Sequence, residues 1–506
     1  MSRSVRLARL LPVVALLAAC VAREPDRPPV RITLLQFNDH YILEPVPGDP
    51  PRGGMARIAT LVARIRRESP HTLLALAGDT ISPSVASTYL HGEQMIAAWN
   101  QLGLDVATFG NHEFDFGPAT LLARMQESRF VWVSANVIDR ATGRPFGGAR
   151  PSHVIERDGV GVGFFGLTLP ETAQMSSAGS GVEFRDPIAA ARTAVAELTA
   201  GRPRPLVIAV THQDMPADER LVRSVPAIQV VLGGHEHDPL TSVVGESLIT
   251  KAGSDGVFVV RVDLQATRDG RLLARQHRFV PVTADLPEDP GMAALVGRYQ
   301  ARLDATSDVR IGETRVALDA RSAALRTGET NVGNYIADVI RARLGADVAV
   351  MNGGGIRGNR VVGPGVLTRR DVHALLPFLN VLVKLEVPGR VLRAVLEHSV
   401  AEHPREFGGF LQVSGLVLTF DPGRPPGQRV VQVVVGGQPL EPERRYTLAT
   451  NSYVARGGDG YAMLATARPL VFPEEGPGLA ETLDDAIERA GAIAPAVEGR
   501  IRRAGS

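Results

Sequence analysis

Val106-Ala107-Thr108-Phe109-Gly110-Asn111-His112-Glu113-Phe114-Asp115 passes from an apolar, strand-length run into a glycine and a cluster of side chains able to bind metals and move protons. Four other segments do the same. Residues 32–37 lead into Asn38-Asp39-His40, and 72–77 into Gly78-Asp79. Residues 206–210 lead into Thr211-His212, and 228–232 into Gly233-Gly234-His235-Glu236-His237. Runs at 131–134, 162–166 and 257–264 continue the strand pattern, and helical segments such as 54–67 and 187–199 alternate with them. That alternation predicts a layered α/β domain. Ligands of open α/β sheets gather at the carboxyl ends of the strands, so the five clusters are predicted to converge on one spot.

The chemistry in those clusters suits a pair of divalent cations. Asp, Asn and His supply mixed oxygen and imidazole ligands of intermediate hardness, as Zn, Mn, Fe or Co accept. Two such ions in a hydrolytic site sit ~3.5–4 Å apart and share a carboxylate. Asp79 follows a strand and a glycine and is the candidate bridge. His235 and His237 are two residues apart, so in an extended segment they point to the same side and offer one imidazole to each ion. One histidine at a strand end is weak support, but these clusters hold five of the twelve histidines in the chain.

The 506 residues predict two or three domains. A composition 44% hydrophobic and 22% charged excludes a disordered or collagen-like chain. With 55 basic against 54 acidic residues, there is no global basic field for a nucleic-acid polymer. The single cysteine, Cys20, excludes an internal disulfide framework and a cysteine zinc site. Arg3, Arg6 and Arg9 precede a short apolar run, 10–17, and Leu17-Ala18-Ala19-Cys20 follows. The run is too short to span a bilayer and reads as a cleavable export signal. Its ending resembles a bacterial lipobox, which implies a lipidated Cys20 as mature N-terminus, with 21–30 as a tether. The protein is thus expected in the periplasm or at the cell surface, held to a membrane only through that anchor.

Three prolines between 280 and 290 mark a boundary, and 291–304 has the apolar spacing of a connecting helix. The predicted organisation is a signal peptide 1–20, a domain 31–285, a linker helix 286–306 and a second domain 307–506. The second half carries Arg326, the string Glu329-Thr330-Asn331-Val332-Gly333-Asn334, and Asn352-Gly353-Gly354-Gly355-Ile356-Arg357. Pro377-Phe378, Asn451-Ser452-Tyr453 and Gly457-Gly458-Asp459-Gly460 follow. Gly-rich backbone permits close approach of a ligand, and an arginine beside it can take phosphate with two hydrogen bonds.

In their order, the Asn38-Asp39, Gly78-Asp79, Gly110-to-Asp115, Thr211-His212 and Gly233-to-His237 strings resemble the calcineurin-like metallophosphoesterases, and more narrowly the 5′-nucleotidase family. With the strings of the second half, the resemblance covers nearly the whole mature chain. It implies a four-layer α/β/β/α metallophosphoesterase domain, joined by a helix to a C-terminal α+β substrate-binding domain. It implies two divalent metal ions. Asp79 would bridge them, Asp39 and His237 would bind the first, and Asn111, His212 and His235 the second. His112, paired with Asp115, would donate to the phosphoryl oxygens while metal-bound water attacks phosphorus. Phe378 and Tyr453 would sandwich a base, Asn352 would touch it, Asp459 would hold the ribose, and Arg326 and Arg357 would meet the phosphate. The implied activity is release of phosphate from nucleoside 5′-monophosphates. The alternatives are nucleotide sugars or 2′,3′-cyclic nucleotides as substrates, or a non-catalytic nucleotide-binding protein.

The first string departs from the family, which has Asp-x-His where this chain has Asp39-His40-Tyr41. His40 is adjacent to Asp39 and on a strand points the other way. The first metal is therefore expected to have fewer protein ligands, a water or tyrosine oxygen in place of imidazole, or lower occupancy. The family's phenylalanine is also replaced by Tyr453, which keeps a stacking face.

Overall fold

The apolar runs of the first half become strands of two six-stranded sheets. In the computed structural model, residues 28–46, 48–201, 204–473 and 475–504 are described. The export signal, Cys20 and most of the tether lie outside them, and Val30 already opens the first strand. One sheet runs in the order Leu272–Pro281, Phe258–Ala266, Val30–Phe37, Thr72–Leu76, Val106–Ala107, Val131–Trp132. Its last four strands are parallel. The other runs Pro239–Val244, Ser247–Ala252, Val230–Gly234, Leu206–His212, Val160–Thr168, Ser152–Arg157. Its inner strands are parallel and its edges antiparallel.

The sheets pack face to face through Ile32, Leu34, Phe164, Ile208, Val210 and Val262, all fully buried. Central strands covered on both faces need side chains without polar atoms on either, which is why they read as nearly continuous apolar runs. Helices cover both outer faces. Met55–Glu68 buries Met55, Ile58, Leu61, Val62 and Ile65, a single helical stripe, on the first sheet. Pro187–Thr199 and Met215–Ser224 cover the second. The result is the four-layer α/β/β/α arrangement. Phe37 lies level with Leu76, Leu76 with Ala107, and His212 with Gly234. The parallel strands therefore deliver their polar clusters to one rim.

Helix Pro290–Ser307 joins the halves. Met292 and Leu295 bury in the first core, and Tyr299 and Arg302 both reach Glu93 at 3.0 and 2.7 Å. At its far end Asp304 and Asp308 pair with Arg370. Beyond lies a five-stranded sheet, Leu411–Ser414, Val348–Asn352, Arg445–Asn451, Leu382–Pro388, Arg468–Val471. Helices Asn331–Leu344 and Leu479–Ala490 cover one face, and Gly389–Ser399 with the hairpin strands Leu416–Phe420 and Val430–Val435 covers the other. This second half is α+β.

Candidate active site

Each carboxylate of the cradle spends one oxygen on its own scaffold. Asp39 Oδ2 accepts from Asn38 Nδ2 at 2.8 Å and from the His235 N–H at 2.9 Å. Asp79 Oδ1 accepts from the His112 N–H at 2.8 Å. The other oxygens turn inward: Asp39 Oδ1 lies 3.3 Å from His237 Nε2, and Asp79 Oδ2 lies 3.2 Å from His212 Nε2. His212 Nδ1 is 2.8 Å from the Ala77 carbonyl, to which it donates, so Nε2 is the free ligand atom. That Nε2 and Asn111 Oδ1 are buried without a hydrogen-bond partner.

These atoms fit a cation. One ligand atom each from Asp39, Asp79 and His212 lie within 4.8 Å of one another in a buried group. Burial opposes ionisation of Asp79, yet the facing His212 and His112 hold its carboxyl well below the usual range. Asp39 is likewise lowered, burial being outweighed by His212 and His237. Burial would lower His212 too, but the two carboxylates raise it to about 10. The two carboxylates thus favour a positive charge at the place where a metal ion would stand, and ligands of this kind release protons on binding. Burial, and then the charge on His212, lower His235 to about 4, leaving it a neutral imidazole.

The backbone is bent to make this cradle. Among the described residues, Asp39, Asp79, His235 and Asp459 all have positive φ, at 50°, 58°, 84° and 52°. For non-glycine residues that is strain, and it collects at functional sites. It also corrects the expectation of an extended His235–His237 pair. The strand ends at Gly234, and the turn at His235 sends His237 toward Asp39 while the His235 ring meets His212 at 5.3 Å. Gly110 and Gly234 make the close approach possible. A Cβ at Gly110 would stand 2.1 Å from Asp79 Oδ1, and one at Gly234 would stand 2.3 Å from the Ala77 carbonyl.

His112 hangs over this cradle. Its Nδ1 is 2.7 Å from Asp115 Oδ2 and its Nε2 is 3.9 Å from Asp79 Oδ2. Burial would lower its pKa, but Asp115 and Asp79 outweigh burial and raise it to about 9, so the imidazolium is the resting form. His40 is not among these groups. Its ring packs edge-on against Trp99 and its Nε2 lies 3.0 Å from the Ile42 carbonyl.

A cavity of about 740 Å³ opens above, lined by Asp79, Asn111, His112, Asp115, His235 and His237 from the first half. All six expected substrate residues, Arg326, Asn352, Arg357, Phe378, Tyr453 and Asp459, line it from the second. Phe378 stacks on the His112 ring at 5.7 Å, and the Arg357 guanidinium lies 5.8 Å from the centre of the Phe378 ring. Tyr453 donates its hydroxyl to Asp459 at 2.9 Å, and Asn352 donates to the same carboxylate at 2.7 Å while accepting from Asn451. Burial and the like charge of Arg357 lower the pKa of Arg326, whose Nε has no partner. Two crowded guanidiniums of this kind suit an anion. The Glu329–Asn334 string, by contrast, builds scaffold: Thr330 caps helix Asn331–Leu344, and Glu329 accepts from Asn334 and the Ile501 N–H.

The calcineurin-like phosphoesterase family matches residues 32–239, and the 5′-nucleotidase C-terminal domain matches 310–466. A 5′-nucleotidase precursor of Thermus thermophilus is 32% identical, covers 94% of this chain and 100% of its own, and superposes with a TM-score of 0.84. The chain belongs to the 5′-nucleotidase family. The snake venom 5′-nucleotidase of Crotalus adamanteus is 30% identical over 97% of this chain and 92% of its own. A trifunctional nucleotide phosphoesterase of Bacillus subtilis is 30% identical over 88% of this chain, which spans only 34% of that protein. A hydrolase of phosphoric esters is what such a chain is, and the family uses divalent metals.

Two supporting residues were not singled out in the sequence. Glu113, buried, accepts from the N–H groups of Asp79 and Thr80 at 2.8 and 2.7 Å and also from Gly110, tying two ligand loops together. Burial and the charge of Asp79 raise it to about 7 against those donors. Lys251 is fully buried below the histidine loops. It donates to the carbonyls of Gln213 and Gly234 and pairs with Asp218 and Glu236. Glu113 had a signal, standing inside the Gly110–Asp115 string. Lys251 had one only in being one of two lysines in the chain.

Proposed function

We propose that this chain releases phosphate from nucleoside 5′-monophosphates with two divalent ions. Asp39, Asp79 and His237 would hold one, and Asp79, Asn111, His212 and His235 the other. The carrying observation is the shared cavity, in which Asp79 and His112 of the first half meet Arg357, Phe378 and Tyr453 of the second. Bound there, divalent ions supply Lewis-acid chemistry and water of lowered pKa. The protein's own groups do the rest. Arg326 and Arg357 receive the phosphate, and His112 Nε2–H donates to a phosphoryl oxygen as negative charge builds, kept charged by Asp115. Phe378 and Tyr453 give the base its faces, and Asp459, held by Tyr453 and Asn352, takes the ribose hydroxyls.

The domains proposed are 31–285 and 307–506, with 286–306 between them. No helix among the described residues is long and apolar enough to cross a membrane. Export and lipidation at Cys20 remain the proposed route to the cell envelope, and Cys20→Ser should move the protein from the membrane to the soluble fraction. The deciding experiment is phosphate release from nucleoside monophosphates, nucleotide sugars and 2′,3′-cyclic nucleotides, with Zn, Mn, Fe or Co added. Preference for a sugar or cyclic substrate would replace the 5′-monophosphate reading.

A further inference from the structure

Tyr41 is 4% exposed, and its hydroxyl sits inside the metal cradle. The oxygen is 3.2 Å from Asp39 Oδ1, 3.5 Å from Asp79 Oδ2 and 3.2 Å from His237 Nε2. Asp39 Oδ1 and His237 Nε2 are themselves 3.3 Å apart. Metal–oxygen and metal–nitrogen bonds of about 2.0–2.2 Å put neighbouring ligands of one ion roughly 3.0–3.5 Å apart. All four separations fall in that range. Hydrogen bonding accounts for them less well, because one phenol proton serves only one of the two carboxylates.

The position is built by the backbone. The Asp39 and His40 N–H groups donate to the carbonyls of Gly78 and Asp79, and the Tyr41 N–H donates to Asp255 Oδ1 at 3.2 Å. His40 is not a rival, since its ring is committed to Trp99 and Ile42. We propose that the Tyr41 phenolate oxygen is a ligand of the first metal ion, completing a set with Asp39, Asp79 and His237. This rests on the two-metal reading above. On binding, the phenol O–H bond breaks, the proton leaves to solvent and the oxygen–metal bond forms. A third anionic oxygen makes this position harder than the imidazole-rich second one, and it suits a hard first-row ion.

The test uses the whole metal-free protein and Zn²⁺ alone, titrated against a chelator while ultraviolet difference spectra are recorded. The wild type should bind two ions and develop the difference absorption of ionised tyrosine with one of them. Tyr41→Phe should lose that signal and weaken one site by more than the roughly 10–100-fold that a lost partner of a ligand costs. Tyr41→His should bind both ions tightly with no tyrosinate signal, and it carries the test if the phenylalanine variant fails to fold by circular dichroism. A wild type that binds two ions without the signal would overturn the proposal, as would Tyr41→Phe binding within that 10–100-fold window. Phosphate release from AMP by the wild type is measured separately. The signal without AMP hydrolysis keeps the ligand and breaks the function, and AMP hydrolysis without the signal breaks the ligand alone.

Discussion

The proposed metal cradle and the proposed nucleotide clamp share one cavity but are made differently. Asp39, Asp79 and His212 are fully buried at strand ends, each with one polar atom fixed by backbone or a buried side chain. Arg357, Phe378, Tyr453 and Asp459 are half-buried and sit on loops and short turns, with their faces open to the cavity. A group that must present a ligand atom to within tenths of an ångström needs a rigid mount. A group that stacks on a flat ring tolerates displacement, because the contact is spread over many atoms. Changes in the cradle should therefore act on every substrate, and changes in the clamp on nucleotides alone.

The largest effect should come from the shared carboxylate. Asp79→Ala should leave no measurable hydrolysis of AMP or of a small aryl phosphate, with metal content by elemental analysis falling as well. His112→Ala should keep the metals yet cut kcat by ~10²–10³ for both substrates, the scale of a lost charge-stabilising donor. Equal turnover by this variant would remove His112 from the mechanism. Its charge also sets a pH dependence. The imidazolium is held up to about 9, so the donor is present below that pH and lost as pH rises through it. Asp115→Asn removes a contribution that raises this pKa. The alkaline limb of kcat/KM should move to lower pH, and an unmoved limb would show that another group sets it.

Lys251 tests how far the rigid mount extends. Lys251→Met leaves Asp218 buried without its cation and frees the Gly234 and Gln213 carbonyls. It should cost about 3–5 kcal/mol in denaturant unfolding of the metal-free protein. A loss below about 1 kcal/mol, the scale of an exposed ion pair, would mean that the histidine loops hold themselves.

The clamp should give the smallest effects and the sharpest selectivity. Stacking a base on an aromatic ring is worth ~1–3 kcal/mol, so Tyr453→Ala should lower kcat/KM for AMP by roughly 5- to 150-fold. It should leave a small aryl phosphate nearly untouched. Phe378→Ala should be less selective, because Phe378 also lies against His112. If Tyr453→Ala depresses both substrates equally, the division of labour between the two halves fails.

The strand-end clusters were legible because a parallel strand carries its residues to a fixed rim. Asn111 and His212 thus stood out within clusters that follow apolar runs, while their roles as ligands were implied by the family resemblance. The same rule misjudged the stretch from His235 to His237, since pleated alternation stops at Gly234 and nothing local announces a left-handed residue there. His40 does stay out of the cradle, but through its contacts with Trp99 and Ile42 and not by pleated alternation, since the strand ends at Phe37 and Asp39 is itself left-handed.

The sequence alone determined a layered α/β first half and the ligand types, for these follow from periodicity and from residue chemistry that each segment carries by itself, whereas the four layers were implied by the family resemblance. Only the tertiary structure decided which oxygen of Asp39 and Asp79 faces inward and where the Tyr41 hydroxyl points. It alone decided that Lys251 braces two loops and that Phe378 meets His112. Each of those is set by a partner distant along the chain, such as the 196 residues between Tyr41 and His237. Contacts of that kind exist only once the sheets have packed and the second half has closed over the first.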